Sequence, residues 1–114
     1  MDNKKLRQLR WLPGEIEQIS TRLAELPDTP ENKARRESML LRLEQCQKEC
    51  AEGIAYLEAA PDSYIRQILR LRYIDGLTYR QIAARIRGAT PESIRQQCLR
   101  YVKKYPEPPQ QMRD

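Results

Sequence analysis

Apolar residues fall at Leu9, Leu12, Ile16, Ile19, Leu23 and Leu26, spaced three, four, three, four, three. A second series runs Leu40, Leu43, Gln47, Cys50, Ile54 and Leu57. Such spacing is the a/d seam of a coiled coil. Between the two series stands Pro27-Asp28-Thr29-Pro30. Thr29 is placed to cap the second helix, Pro30 fits its first turn, and Glu31 suits the positive end of the helix dipole. A connection this short predicts antiparallel helices. Residues 1–60 therefore read as a helical hairpin. The heptad phase crosses Pro13 unbroken, which predicts a bend in one continuous first helix. A proline there removes one backbone bond and presses on the Leu9 carbonyl, a cost of roughly 3 kcal/mol in a helix interior. Gln47 is the one polar seam member. It either fixes the register or points outward, and its length favours the second.

The second hairpin helix carries more apolar surface than one partner needs. Met39, Cys46, Gly53 and Ala60 repeat every seven residues beside the seam. Three apolar positions per heptad suit a bundle. The stripe predicts packing against a second copy, giving a homodimer through residues 1–60, or against the C-terminal half of the same chain.

Residues 61–105 carry three further helical patterns. The first starts near Asp62, with Ile65, Ile68, Leu69, Arg72 and Tyr73 at helical spacing and Gly76 as a left-handed end. The second opens on Thr78, with Gln81 completing a capping box, and turns Ile82, Ala83 and Ile86 inward. Gly88 ends it. The third has Thr90 as cap and Pro91 in its first turn, then Ile94, Cys98, Tyr101 and Val102 on one face. No alternating run of β-branched residues competes. The expected fold is all-α: an N-terminal antiparallel hairpin, then a three-helix helix-turn-helix domain. The proline-rich residues 106–114 read as a flexible tail.

Charge sharpens this picture. The 114 residues carry a net +5. Residues 1–60 hold ten cationic side chains against eleven acidic, whereas residues 61–114 hold eleven against five. A basic half points to a polyanion. A three-helix bundle with an Arg-rich solvated surface is the plain alternative. Placement favours DNA. Off the apolar face of the third helix stand Ser93, Arg95, Gln96, Arg100 and Lys103, and Glu92 is the only acid between Asp75 and Glu107. Arginine pairs bidentately with guanine and glutamine with adenine in the major groove. The candidate DNA-binding residues are Thr78, Arg80, Ser93, Arg95, Gln96, Arg100, Lys103 and Lys104, the last two nearer phosphate than bases.

Composition removes other classes. With no His and no acidic or nucleophilic cluster at workable spacing, no active site assembles, so an enzyme is not expected. Cys46 and Cys50 lie four apart with no third ligand nearby, so a metal is not expected and the thiols read as small core hydrophobes. No cofactor is expected. Three Cys suggest a reducing compartment. The first residues lack a signal peptide's apolar stretch, and no run approaches the ~18 residues of a membrane span. A cytoplasmic protein of bacteria is the expectation.

The run Leu71-Arg72-Tyr73-Ile74-Asp75-Gly76-Leu77-Thr78, followed by Gln81-Ile82-Ala83, resembles the fourth region of bacterial sigma factors. The order of parts resembles late-gene regulators of phages and mobile elements of the ArpU/RinA type. In those a sigma-region-four-like domain follows an N-terminal coiled coil. Leu9-Arg10-Trp11-Leu12 with Glu15-Ile16 matches their leucine-rich start, and Ile65 to Tyr73 matches the entry to their DNA-binding domain. The resemblance covers nearly the whole chain and is strongest from Pro61 to Lys104. It implies a DNA-binding transcriptional regulator, with double-stranded DNA as partner and RNA polymerase as a second candidate. A small-terminase-like DNA-packaging protein and a helical interaction scaffold are the alternatives.

Overall fold

A computed structural model of the chain describes residues 1–107. Among them every regular element is helical. In chain order they are α1 (Asn3–Gln8), a 3-10 turn (Leu9–Trp11), α2 (Leu12–Glu25), a second 3-10 turn (Pro30–Asn32), α3 (Lys33–Glu58), α4 (Ser63–Tyr73), α5 (Tyr79–Arg85) and α6 (Pro91–Lys104). No helix among the described residues is long and apolar enough to cross a membrane. The expected tail lies, from residue 108 on, outside the described residues.

The chain forms two compact units. One is a hairpin unit, Trp11–Glu52. The other joins Met1–Arg10 to the chain from Gly53 onward and is called here the terminal unit.

In the hairpin unit α2 and the first part of α3 run antiparallel, as their short connection requires. Leu12 and Ile19 are buried from α2 and Cys46 from α3. Arg36 finishes α2 by donating from Nη1 to the carbonyls of Leu23 (3.1 Å) and Leu26 (2.7 Å), groups that a helix end leaves without partners. Arg42 Nε donates to Glu15 Oε2 at 3.0 Å, and this bond holds the Glu15 carboxyl below its ordinary range. Thr29 occupies the cap position before Pro30, yet its side chain makes no capping bond. Its Oγ1 instead accepts from Asn32 Nδ2 at 3.1 Å, and the same amide donates to the Pro27 carbonyl at 3.0 Å.

Two further expectations need correction. The first concerns Pro13. The helix is not continuous there: α1 ends, one 3-10 turn follows, and Pro13 sits in the first turn of α2. First-turn amides have no intrahelical acceptor, so the missing donor costs nothing and the fixed φ suits the site. The second concerns the α3 seam. A four-three repeat of buried or half-buried residues runs Met39, Leu43, Cys46, Cys50, Gly53, Leu57 and Ala60, with Ile54 and Tyr56 also covered beside it. Leu40 and Gln47 face solvent. The stripe read as surplus is the seam itself, and the chain buries it without a second copy. Gly53 shows why: a Cβ there would lie 2.6 Å from Leu9 Cδ1.

The terminal unit collects its core from distant stretches. α1 packs on α4, α4 on α5 and α6, and α5 on α6. Leu6, Leu57, Ile68, Leu69, Ile82, Ile94 and Cys98 are fully buried. Tyr73 donates its hydroxyl to Asn3 Oδ1 at 2.5 Å, and Tyr56 donates to the Tyr105 carbonyl. Tyr56 meets Tyr101 edge-on, with centroids 6.1 Å apart.

Pro13→Ala is expected to lower stability by about 0.5 kcal/mol in urea unfolding, because alanine enlarges the unfolded ensemble without restoring a native bond. A more stable variant would return the proline to a helix interior.

Burial of the core acids sets an alkaline limit. Desolvation raises Cys98 from 9.0 to about 11 and Tyr56 from 10.0 to about 12, and raises Tyr73 as well. These groups hold their protons in the native state when the unfolded chain has already lost them. Their stabilisation is complete below pH 9 and is lost as pH rises through the native values. The urea midpoint is expected to start falling above about pH 9 and to fall further towards 11. A midpoint that stays flat to pH 11 would contradict this core.

Candidate nucleic-acid interface

Asp62, Thr78 and Thr90 each cap a helix in the terminal unit. Asp62 Oδ1 accepts from the amides of Tyr64 (2.8 Å) and Ile65 (3.4 Å). Thr78 and Gln81 form the full capping box: Gln81 N donates to Thr78 Oγ1 at 3.1 Å, and Thr78 N donates to Gln81 Oε1 at 2.9 Å. Thr90 Oγ1 accepts from Ser93 N at 3.1 Å. Gly76 and Gly88 take positive φ, 72° and 84°, at the ends of α4 and α5, where other residues would be strained. The result is a short helix, a tight turn and a longer basic helix.

α6 divides cleanly into two faces. Ile94, Cys98, Tyr101 and Val102 are buried. Arg95, Gln96, Arg100, Lys103 and Lys104 are exposed. Ser93 is half-buried, and its Oγ accepts from Gln97 Nε2 at 3.5 Å. Arg95 Nη1 donates to Glu92 Oε1 at 3.2 Å, and Gln96 Nε2 donates to the same oxygen at 3.4 Å. Lys104 Nζ lies 5.3 Å from the Tyr105 ring centroid. On α5, Arg80 is exposed, as is the capping Thr78. The structure thus brings Arg95, Gln96, Arg100 and the two lysines to one helix surface. Thr78 and Arg80 stand on the neighbouring helix.

Sequence reading passed over Arg85 and Arg87. Both are exposed, at the end of α5 and in the turn before α6. A cation next to the Gly88 turn was the available signal.

Other arginines of the basic half serve the fold. Arg66 Nη1 donates to the Ala60 carbonyl at 2.6 Å. Arg70 pairs with Glu58 at 3.6 Å. Arg72 Nη1 donates to the Leu77 carbonyl at 3.1 Å while its guanidinium lies 4.0 Å from the centroid of Tyr79. Arg10, from the other end of the unit, donates to the Gly76 carbonyl at 3.1 Å. Two guanidinium groups therefore hold the turn between α4 and α5, on which α5 depends for its position.

The thiols follow the core reading. Cys46 and Cys98 are fully buried, and burial raises both. Cys50 is half-buried. Among the described residues no group of three Cys, Asp or Glu is placed to hold a metal.

No protein-family model matches the chain, and no curated protein or solved structure is similar to it. The class defined by fold and surface is an all-α chain with a helix-turn-helix arrangement and a basic outer face.

Arg72→Met is expected to cost about 1–2 kcal/mol in urea unfolding, from loss of the carbonyl bond and the ring contact. Unchanged stability would mean that the clamp contributes nothing to the turn.

Proposed function

We propose that the chain is a sequence-specific DNA-binding regulator of transcription, carried by a phage or mobile element and acting in the bacterial cytoplasm. The carrying observation is the division of α6. One face is core, and the other presents Arg95, Gln96, Arg100, Lys103 and Lys104 to solvent. A helix enters the major groove with its N-terminal residues on base edges. Arg95 and Gln96 occupy that end and have the chemistry to read guanine and adenine. Lys103 and Lys104, at the far end, suit phosphate. Thr78, Arg80, Arg85 and Arg87 supply further backbone contacts. RNA polymerase is a second partner in this reading, which rests there on the resemblance to sigma region four.

The reading assigns no catalysis and no cofactor. It includes self-association through residues 1–60. In the hairpin unit Leu40 and Leu41 are 47% and 67% exposed on α3, an apolar surface the monomer leaves in water. Sedimentation of a dimer agrees with this reading, and a monomer removes the self-association while leaving the DNA contact to be tested on its own. A large closed ring would replace it with a DNA-packaging protein.

The decisive experiment selects binding sites from random DNA and then titrates salt. Arg95→Ala is expected to cost ~1–3 kcal/mol on the enriched site and to flatten preference at one base pair. Lys103→Ala is expected to weaken all sequences alike and to reduce the salt slope by about one. If Lys103→Ala altered preference and Arg95→Ala did not, α6 would lie in the groove the other way round. If no sequence were enriched, the chain would be a scaffold.

A further inference from the structure

Glu92 is an anomaly on this surface. Residues 76–106 carry seven cationic side chains and this single acid. It sits in the first turn of α6, beside the two candidate base readers. A carboxylate there repels phosphate at every sequence, so it weakens binding to DNA in general. An acid in a first helical turn does favour the helix dipole, but any acid does that. The geometry shows something more selective. One oxygen of Glu92 receives both Arg95 Nη1, at 3.2 Å, and Gln96 Nε2, at 3.4 Å. The spacings are three and four residues, the two that face each other on a helix.

Resting on the DNA-binding reading above, we propose that Glu92 is a positioning residue that sets base specificity, holding Arg95 and Gln96 in reading geometry and withholding Arg95 from indiscriminate phosphate contact. The donor inventory permits this. A guanidinium has five N–H donors, and the bond to Glu92 uses one. The remaining edge can still grip the two acceptors of guanine. A glutamine amide has two N–H groups and a carbonyl. With one N–H on Glu92, the second N–H and the carbonyl remain for the donor–acceptor edge of adenine. Both readers can therefore engage bases without leaving Glu92. A phosphate draws Arg95 by charge alone, and the nearby carboxylate opposes that pull. Holding two long side chains in place before binding also lowers the ordering cost at the cognate site.

Two variants separate reach from charge. Glu92→Asp keeps the charge and the dipole contribution but is one methylene short of both partners. Glu92→Gln keeps reach and an acceptor oxygen but loses the charge. Each is compared with the full wild-type chain on the selected site, on its single-base variants and on random duplex DNA, across a salt series, with thermal unfolding confirming the fold. For Glu92→Asp, discrimination against single-base variants is expected to fall by roughly tenfold with an unchanged salt slope. For Glu92→Gln, binding to random DNA is expected to tighten several-fold, the salt slope to steepen by about one, and discrimination to stay closer to wild type. A Glu92→Asp protein that discriminates as well as wild type overturns the positioning role while leaving the DNA reading intact. A wild-type chain that discriminates among no sequences overturns both.

Discussion

The three helices from Ser63 to Lys104 span only about forty residues, near the size below which a chain seldom sustains a core unaided. They contain no Phe or Trp. Elements from elsewhere pack on them: α1, which buries Leu6, lies on α4, and Tyr56 of α3 meets Tyr101 of α6. The basic surface depends on this assembly. α6 can turn its cationic face outward only while Ile94, Cys98, Tyr101 and Val102 have somewhere to go. The Arg10 bond to the Gly76 carbonyl carries the same dependence to the turn that places α5.

Positive charge therefore has two uses in the terminal unit. Arg10, Arg66 and Arg72 bind backbone carbonyls of the loops that follow α3 and α4. Arg80, Arg85, Arg87 and Arg100 are exposed, as is Arg95 in its pairing with Glu92. A net charge counts both groups alike, although only the second is presented as a surface. Exposed cations also stand at Lys4, Lys5, Arg7 and Arg70, but the longest series follows Gly76, on the two helices and turn that the DNA-binding proposal uses.

Much of this was legible in the sequence. The α2 seam, Leu12 to Leu26, follows its spacing, and the caps at Asp62, Thr78 and Thr90 form where their residue types point. The inward and outward faces of α6 divide as periodicity indicates. In the α3 seam Leu43, Cys50 and Leu57 hold as read and Ile54 is half-buried, but Leu40 and Gln47 give way to Met39 and Cys46, and Gly53 joins them, because hydrophobicity ranks Leu40 above Cys46 and Gly53. Packing ranks them by fit instead, and Gly53 admits the Leu9 side chain. Thr29 stands at its cap position, but its Oγ1 accepts from the Asn32 side chain and makes no capping bond. Residues 3–9 were the least legible. Leu6 stands alone ahead of the heptad series, and the partners of this segment, Gly53 and α4, lie far along the chain. At the candidate interface residue types and exposure were readable, but the shared bond of Arg95 and Gln96 to Glu92 needs coordinates.

The terminal unit's discontinuity bears on synthesis. Leu6 and Leu9 leave the ribosome well before α4, on which α1 packs and which is completed only at Tyr73. At about 5–20 residues per second, the early segment spends several seconds or more without its apolar partners. The hairpin unit, closed by contacts within Trp11–Glu52, can form during that interval. The surface proposed to meet DNA is complete only once α6 has emerged. Nascent chains should accordingly gain protease resistance in the hairpin before the N-terminal segment.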